Sequence, residues 1–245
     1  MTPRLCLAFV IAAFGGLVQP PSAEACACAG TASSSTAFKG AELVFVGTVT
    51  RVEGRDLQAR TNTDGTVRVE PGTGQPVTIF DAAHVFRGGV ERQIAIMGDR
   101  TDCDVRFTQG EMWLVYARVR EGRVVTDQCT RTRLQAEAEA SQDLAYLEGL
   151  EQGRPQGILY GEVLRRIVGR DGQPALQALF GPLQVIAAGA GRRLQVTTDR
   201  SGPYQLVLPP GDFEVWVEDA GRTVASAQKV HVDNGSDLRL MLVVE

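Results

Sequence analysis

Four cysteines constrain this chain more than any other feature: Cys26 and Cys28 stand one residue apart, and Cys103 and Cys129 lie far downstream. A fifth, Cys6, falls in a leading segment that reads as an export signal. Residues 1 to 25 carry Arg4, then the apolar run Leu5 to Val18, then the break Gln19-Pro20-Pro21 and the small-residue cleavage pattern Ala23-Glu24-Ala25. The run is about 14 residues, short of the roughly 20 that a membrane-spanning helix needs, and no other stretch approaches that length. Cleavage after Ala25 makes Cys26 the first residue and leaves an even number of cysteines, which in an exported chain reads as a disulfide framework. A Cys26 to Cys28 bridge is disfavoured, because alternate residues of an extended segment lie near or beyond the Cα spacing a disulfide accepts. Two long-range bridges to Cys103 and Cys129 are therefore expected, in either pairing. Each closes a loop of roughly 80 to 100 residues and contributes at most about 4 to 5 kcal/mol in the chain-entropy account. A lipid anchor on Cys26 is the competing fate of such an N-terminus. Against it, Ala23 stands where a lipidation signal usually has Leu, Glu24 is charged, and acylation would strand three cysteines.

A length of 245 residues suits one large or two small domains. With 25 Lys and Arg against 29 Asp and Glu, no positive excess remains to neutralise phosphates, so nucleic acid is not an expected partner. The chain holds 27 Gly and 11 Pro, which favours short strands joined by turns, and only two histidines, which leaves little for His-based catalysis. After a Ser/Thr-rich connector at Thr31 to Thr36, Leu43 to Val52 is nearly continuous in apolar side chains and reads as a buried strand. Residues 53 to 76 are polar and turn-rich, a long loop or hairpin with Thr66 to Val69 as a tip strand. Four more strands are expected at Val77 to Phe86, Gln93 to Met97, Glu111 to Val119 and Arg123 to Arg131. The period then changes to 3.6: Ala136, Ala140, Leu144 and Leu147 form one face of a helix ending near Gly149. Five strands and a terminal helix suggest a five-stranded Greek-key barrel of the OB-fold type. A polar linker at 151 to 156 follows, and 157 to 245 carries only strand signals, at Gly157 to Ile167, Gln184 to Ala188, Gln195 to Thr198, Tyr204 to Leu208, Phe213 to Val217, Thr223 to Val232 and Leu238 to Val243, expected as a β-sandwich. The fold class is all-β in two domains, 26 to 150 and 157 to 245.

The Cys-x-Cys start, the segment His84-Val85-Phe86-Arg87-Gly88-Gly89, the pair Cys103 and Cys129, and Phe107 to Ala117 between them resemble a netrin-like domain. More narrowly, they resemble the inhibitory domain of the tissue inhibitors of metalloproteinases. That resemblance implies an OB barrel, the pairing Cys26 with Cys103 and Cys28 with Cys129, and a zinc metalloendopeptidase as partner. A catalytic zinc keeps one position open for water. A free Cys26 amine and the Cys26 carbonyl oxygen form a five-membered chelate able to displace that water. The amine has an ordinary pKa of about 7.7 to 8.0, so a neutral fraction exists at neutral pH. Ala27 would then enter the specificity pocket, with Cys28 tying the segment down. Ala27 is small for a deep pocket, and the cysteine-bearing second half of the tissue inhibitors is replaced here by a cysteine-free segment. The alternative is an adhesion or scaffold protein in which the Cys-x-Cys merely staples the barrel.

The segment Thr197 to Val217 and the earlier Gly157 to Pro174 resemble carboxypeptidase regulatory-like and transthyretin-like sandwich modules, which implies a prealbumin-like fold. Physically, Tyr204, Leu206 and Leu208 alternate inward, Pro209-Pro210-Gly211-Asp212 turns the chain, and Phe213, Val215 and Val217 return on the same face. The common hydrolase, nucleotide and zinc-protease motifs are absent from the sequence, so no catalytic residue, no cofactor and no metal of its own is expected. His84 and His231 are expected in structural or surface roles, and Trp113 and Trp216 in packing. The acidic run Asp99 to Asp104 and the stretch Asp233-Asn234-Gly235-Ser236-Asp237 read as turns.

Overall fold

The computed structural model describes residues 26, 28, 32–53, 57–61, 67–71, 76–89, 92–98, 103–170, 172–179, 181–198 and 203–244. The expected export signal and Ala27 lie outside the described residues. Helix α1 (Ser34–Gly40) opens the ordered chain. Strands β1 (Leu43–Glu53), β2 (Leu57–Thr61), β3 (Val67–Pro71), β4 (Val77–Arg87), β5 (Gln93–Met97), β6 (Met112–Arg120), β7 (Arg123–Val125) and β8 (Arg133–Leu134) follow, then α2 (Gln135–Ala140) and α3 (Asp143–Glu151). Five strands close on themselves in the order β1-β4-β5-β7-β6 and back to β1, with β8 paired to Trp113 and Leu114 at the start of β6 and β2 paired with β3 as a separate hairpin. All barrel pairings are antiparallel except β5 with β7.

The unbroken apolar run of β1 has a simple cause: both of its faces are covered. Leu43, Phe45 and Val49 point into the barrel with Phe80, Ile94, Ile96 and Val115. Val44 and Val46 point outward, under Leu144, Leu147 and Ile158. A strand wetted on one face would alternate instead. Register shifts at Val44/Phe45, Val46/Gly47 and Val49/Arg51 bend β1 against β4, the curvature a small barrel needs.

Strands β9 (Gly157–Val168), β10 (Pro174–Ala178), β11 (Gln184–Gly189), β12 (Arg192–Thr197), β13 (Pro203–Leu208), β14 (Gly211–Asp219), β15 (Arg222–Val232), β16 (Asp237–Arg239) and β17 (Leu242–Val244) form the second unit. One sheet is centred on β9, flanked by β10 and β13, with β16 and β17 added in parallel; the other runs β12-β11-β14-β15. Tyr204, Leu206 and Leu208 meet Phe213, Val215 and Val217 in the core between the sheets, with Leu159, Val163, Val185 and Leu242. The molecule is thus all-β, an OB-like barrel plus a sandwich.

Four local expectations need correction. The Ser/Thr-rich stretch is not a plain connector: Ser33 caps α1, its hydroxyl accepting from the Thr36 backbone N–H at 3.1 Å. The strand expected over Arg123 to Arg131 stops at Val125, and a 3-10 turn at Gln128–Thr130 ends in Arg131 at φ +73°. The single helix is two, because Gln142 adopts φ +61° between them. The last strand is divided into β16 and β17 where Leu240 passes over β9; a Cβ on Gly161 would collide with the Leu240 carbonyl. Strand β10, which pairs with the far end of β9, was not expected.

Candidate functional site

The N-terminal cysteines are tied to the barrel at two adjacent points: Cys26 is bonded to Cys103 and Cys28 to Cys129. This is the connectivity that the netrin-like resemblance implies. Cys26, Cys103 and Cys129 are half-buried and Cys28 is exposed. The two bridges touch, with the sulfurs of Cys26 and Cys129 3.8 Å apart. Ala27, the residue between the anchors, lies outside the described residues, as do Asp99 and Asp102 of the acidic run.

The receiving loops are held together without the sulfurs. The Gln128 backbone N–H donates to the Cys103 carbonyl at 2.8 Å, and the Asp127 carboxylate accepts from the Cys129 N–H at 2.8 Å. Next along the chain, the hydroxyls of Thr126, Thr130 and Thr132 form a triangle with edges of 2.8, 2.7 and 3.2 Å. Thr126 donates to the Tyr116 carbonyl, and Thr132 accepts from the Tyr116 N–H. A cavity of about 60 Å³ lies here, lined by Ala32, Tyr116, Arg118 and Cys129 among others. The Tyr116 hydroxyl is buried with no hydrogen-bond partner among the described residues. Burial, reinforced by the negative charge of Asp143, pushes its pKa far above the ordinary phenol value, so it stays neutral.

Arg131 carries this platform into the interior. Its Nε lies 2.7 Å from Oδ1 of Asp143, and its guanidinium also donates to the Ala32 carbonyl just beyond Cys28. Asp143 is 0% exposed and is the hub of a polar cluster. Its Oδ1 also accepts from the Ser34 hydroxyl and from Gln205 Nε2 at 3.3 Å; its Oδ2 accepts from Ser141 Oγ at 2.9 Å and lies 3.3 Å from Arg133 Nε. Burial lowers the Arg133 pKa below the ordinary arginine value, opposed by the Asp143 carboxylate. Gln205, on β13, also accepts from the Ser34 N–H at 2.8 Å. Gln142 accepts from the Val207 N–H at 2.8 Å through its side chain. One carboxylate therefore joins α1, the barrel's exit turn, α3 and the sandwich. The segment before β9 is pinned as well: Gln156 is buried, donates to the Tyr146 carbonyl at 2.8 Å, and its N–H reaches Asn234 Oδ1 at 3.0 Å.

The remaining singled-out residues have partners. His84 Nε2 lies 2.9 Å from the Glu151 carboxylate, joining β4 to the end of α3. Trp113 donates to Glu111 at 3.1 Å and packs edge-on to Phe107. Trp216, on the outer face of the four-stranded sheet, donates to Glu218 at 2.8 Å with Arg193 stacked over its ring. His231 Nδ1 is 2.7 Å from Asp212 on the wall of a shallow groove that also carries Glu214 and Lys229. Asp143 is the residue that sequence reasoning missed. A signal existed, since the period of the α3 stripe puts an aspartate beside Leu144 and Leu147 on the covered side.

No protein-family model and no curated protein matches the chain. Among solved structures, a candidate carbohydrate-binding protein of Pseudomonas aeruginosa shares 14% identity over 36% of this chain and 88% of its own, at a TM-score of 0.26. A DUF3823 family protein of Parabacteroides merdae shares 17% identity over 37% of this chain and 46% of its own, at 0.25. The TIE protein of Bacillus anthracis shares 12% identity over 84% of this chain and 35% of its own, at 0.27.

Asp143→Asn leaves the buried Arg131 and the half-buried Arg133 guanidinium without their counter-charge and should lower unfolding free energy in urea by about 3 to 5 kcal/mol. Glu151→Gln, at the exposed His84 pair, should cost under about 1 kcal/mol. Equal losses for the two would mean that Asp143 is not a special anchor. For His231, the Asp212 hydrogen bond and then its charge raise the pKa. Its stabilising contribution is therefore present below the unfolded value of about 6.5 and fades as pH rises through the higher folded value. An NMR titration should show a midpoint above 6.5 that falls in Asp212→Asn; a midpoint unmoved by that change would remove Asp212 as the cause.

Proposed function

We propose that this chain is an exported, non-catalytic adhesion or scaffold protein that works through contact surfaces on a barrel and a sandwich held in fixed relation. The observation that carries this reading is the buried Asp143 hub, which joins residues of both units and of the N-terminal helix through one carboxylate. A shared buried charge fixes geometry, which suits a protein presenting two surfaces at a set angle. Arg131, Arg133, Ser34 and Gln205 all point at Asp143. In this reading the disulfides at Cys26 and Cys28 are staples, and protein or glycan is the class of partner.

One observation favours a second reading, inhibition of a zinc metalloendopeptidase by the amine and carbonyl of Cys26. Cys26 is only half-buried and is anchored through Cys103, with Cys28 exposed beside it. An anchored terminus carries a lower ordering cost on entering a cleft. The two readings separate on one pair of chains, the mature form beginning at Cys26 and the same form with one Ala added before it. The scaffold reading expects both to be retained equally by the envelope of the producing cell and neither to slow a panel of zinc endopeptidases. Stoichiometric inhibition by the first chain, abolished by the added Ala, would replace it with the inhibitor reading.

A further inference from the structure

We propose that the four cysteines, when reduced, form a tetrathiolate zinc site, so that the paired disulfides and a zinc centre are alternative states of one cluster. The sulfurs of Cys26, Cys28 and Cys129 all lie within 4.8 Å of one another, and Cys103 is bonded to the first of them. A tetrahedral zinc with Zn–S bonds of about 2.3 Å requires sulfur–sulfur edges of about 3.8 Å. The unbonded pair Cys26 and Cys129 already stands at 3.8 Å. Once the bonds are cut the bonded sulfurs must part, and Cys103, which is not one of that close trio, must turn its side chain in as the fourth ligand; its Cα lies 5.0 Å from that of Cys26.

The loops and segment that carry them also have contacts other than the bridges. The loops carrying Cys103 and Cys129 stay joined through the Gln128 N–H on the Cys103 carbonyl at 2.8 Å and the Gln128 side chain on the Asp104 carbonyl at 3.3 Å. The N-terminal segment stays joined through Arg131 on the Ala32 carbonyl and the Ser34 N–H on Gln205. Exposed Cys28 gives a thiol reductant its point of attack.

Two equivalents of a dithiol reductant deliver four electrons and four protons to the two disulfides, giving four protein thiols and two oxidised dithiols. Zinc then displaces the four thiol protons and leaves a dianionic four-sulfur centre. Two equivalents of a small-molecule disulfide and four protons reverse the change: the four electrons reduce the added disulfides to four thiols, the two protein disulfides re-form and Zn²⁺ is released.

The test uses the full mature chain, reduced anaerobically and titrated with Co²⁺, then Zn²⁺, with circular dichroism recorded throughout. The expected result is one equivalent of Co²⁺ with the intense visible bands of a tetrahedral four-thiolate site, displaced by one equivalent of Zn²⁺. The oxidised chain should bind neither metal at that site. Cys103→Ser should shift the bands toward three-sulfur coordination and weaken Co²⁺ binding at least tenfold. If reduction unfolds the chain, zinc is expected to restore the β signal. Absence of the bands in a folded reduced chain, failure of zinc to refold an unfolded one, or bands indifferent to Cys103→Ser would each overturn the proposal.

Discussion

A carboxylate buried away from bulk solvent must be neutralised and hydrogen-bonded where it stands, and in this molecule that requirement falls on Asp143. Left unpaired, such a charge costs several kcal/mol, so the surroundings must arrive with it. Arg131 comes from the turn behind Cys129, Arg133 from β8, Ser34 from α1 and Gln205 from β13. The demand is met only if the barrel, both helical segments and the sandwich assemble together. Two residues in the left-handed region, Arg131 at φ +73° and Gln142 at φ +61°, stand at this junction. Each carries a backbone cost of order 1 to 3 kcal/mol, offset by its side-chain bonds within or beside the hub.

The disulfides and the hub are successive parts of one path. Cys129 lies two residues before Arg131, and Arg131 reaches back to Ala32, just past Cys28. The covalent links fix where the N-terminal segment begins its course on the barrel, and the polar contacts fix where α1 ends it. A functional surface near Cys26 would therefore inherit its position from residues deep in the interior, far from any partner.

Most strands could be read from the sequence because their causes are local: β-branched runs, turn residues and period-2 alternation. The barrel strands β1, β4, β5 and β6 and the sandwich pair β13 and β14 fall where those signals lie. The continuous run in β1 signalled burial on both sides, and the structure supplies the two covers. What escaped was set by distant partners. Helix α1 is a serine-rich stretch whose Ser33 and Ser34 are buried by contacts to Asp237, Asp143 and Gln205, residues over 100 positions away. The break at Gln142 has no Gly or Pro to announce it, since its reward is a hydrogen bond to β13. Asp143 looks like any polar residue at a helix start until Arg131 is placed beside it. The disulfide pairing followed from resemblance to a family; spacing alone allowed either connectivity.

If one buried charge makes the barrel and the sandwich a single cooperative body, scanning calorimetry of the oxidised full chain should show one transition whose calorimetric enthalpy equals its van't Hoff enthalpy. Two separated transitions, each matching one unit, would show that the barrel and the sandwich fold independently and that Asp143 joins nothing of consequence.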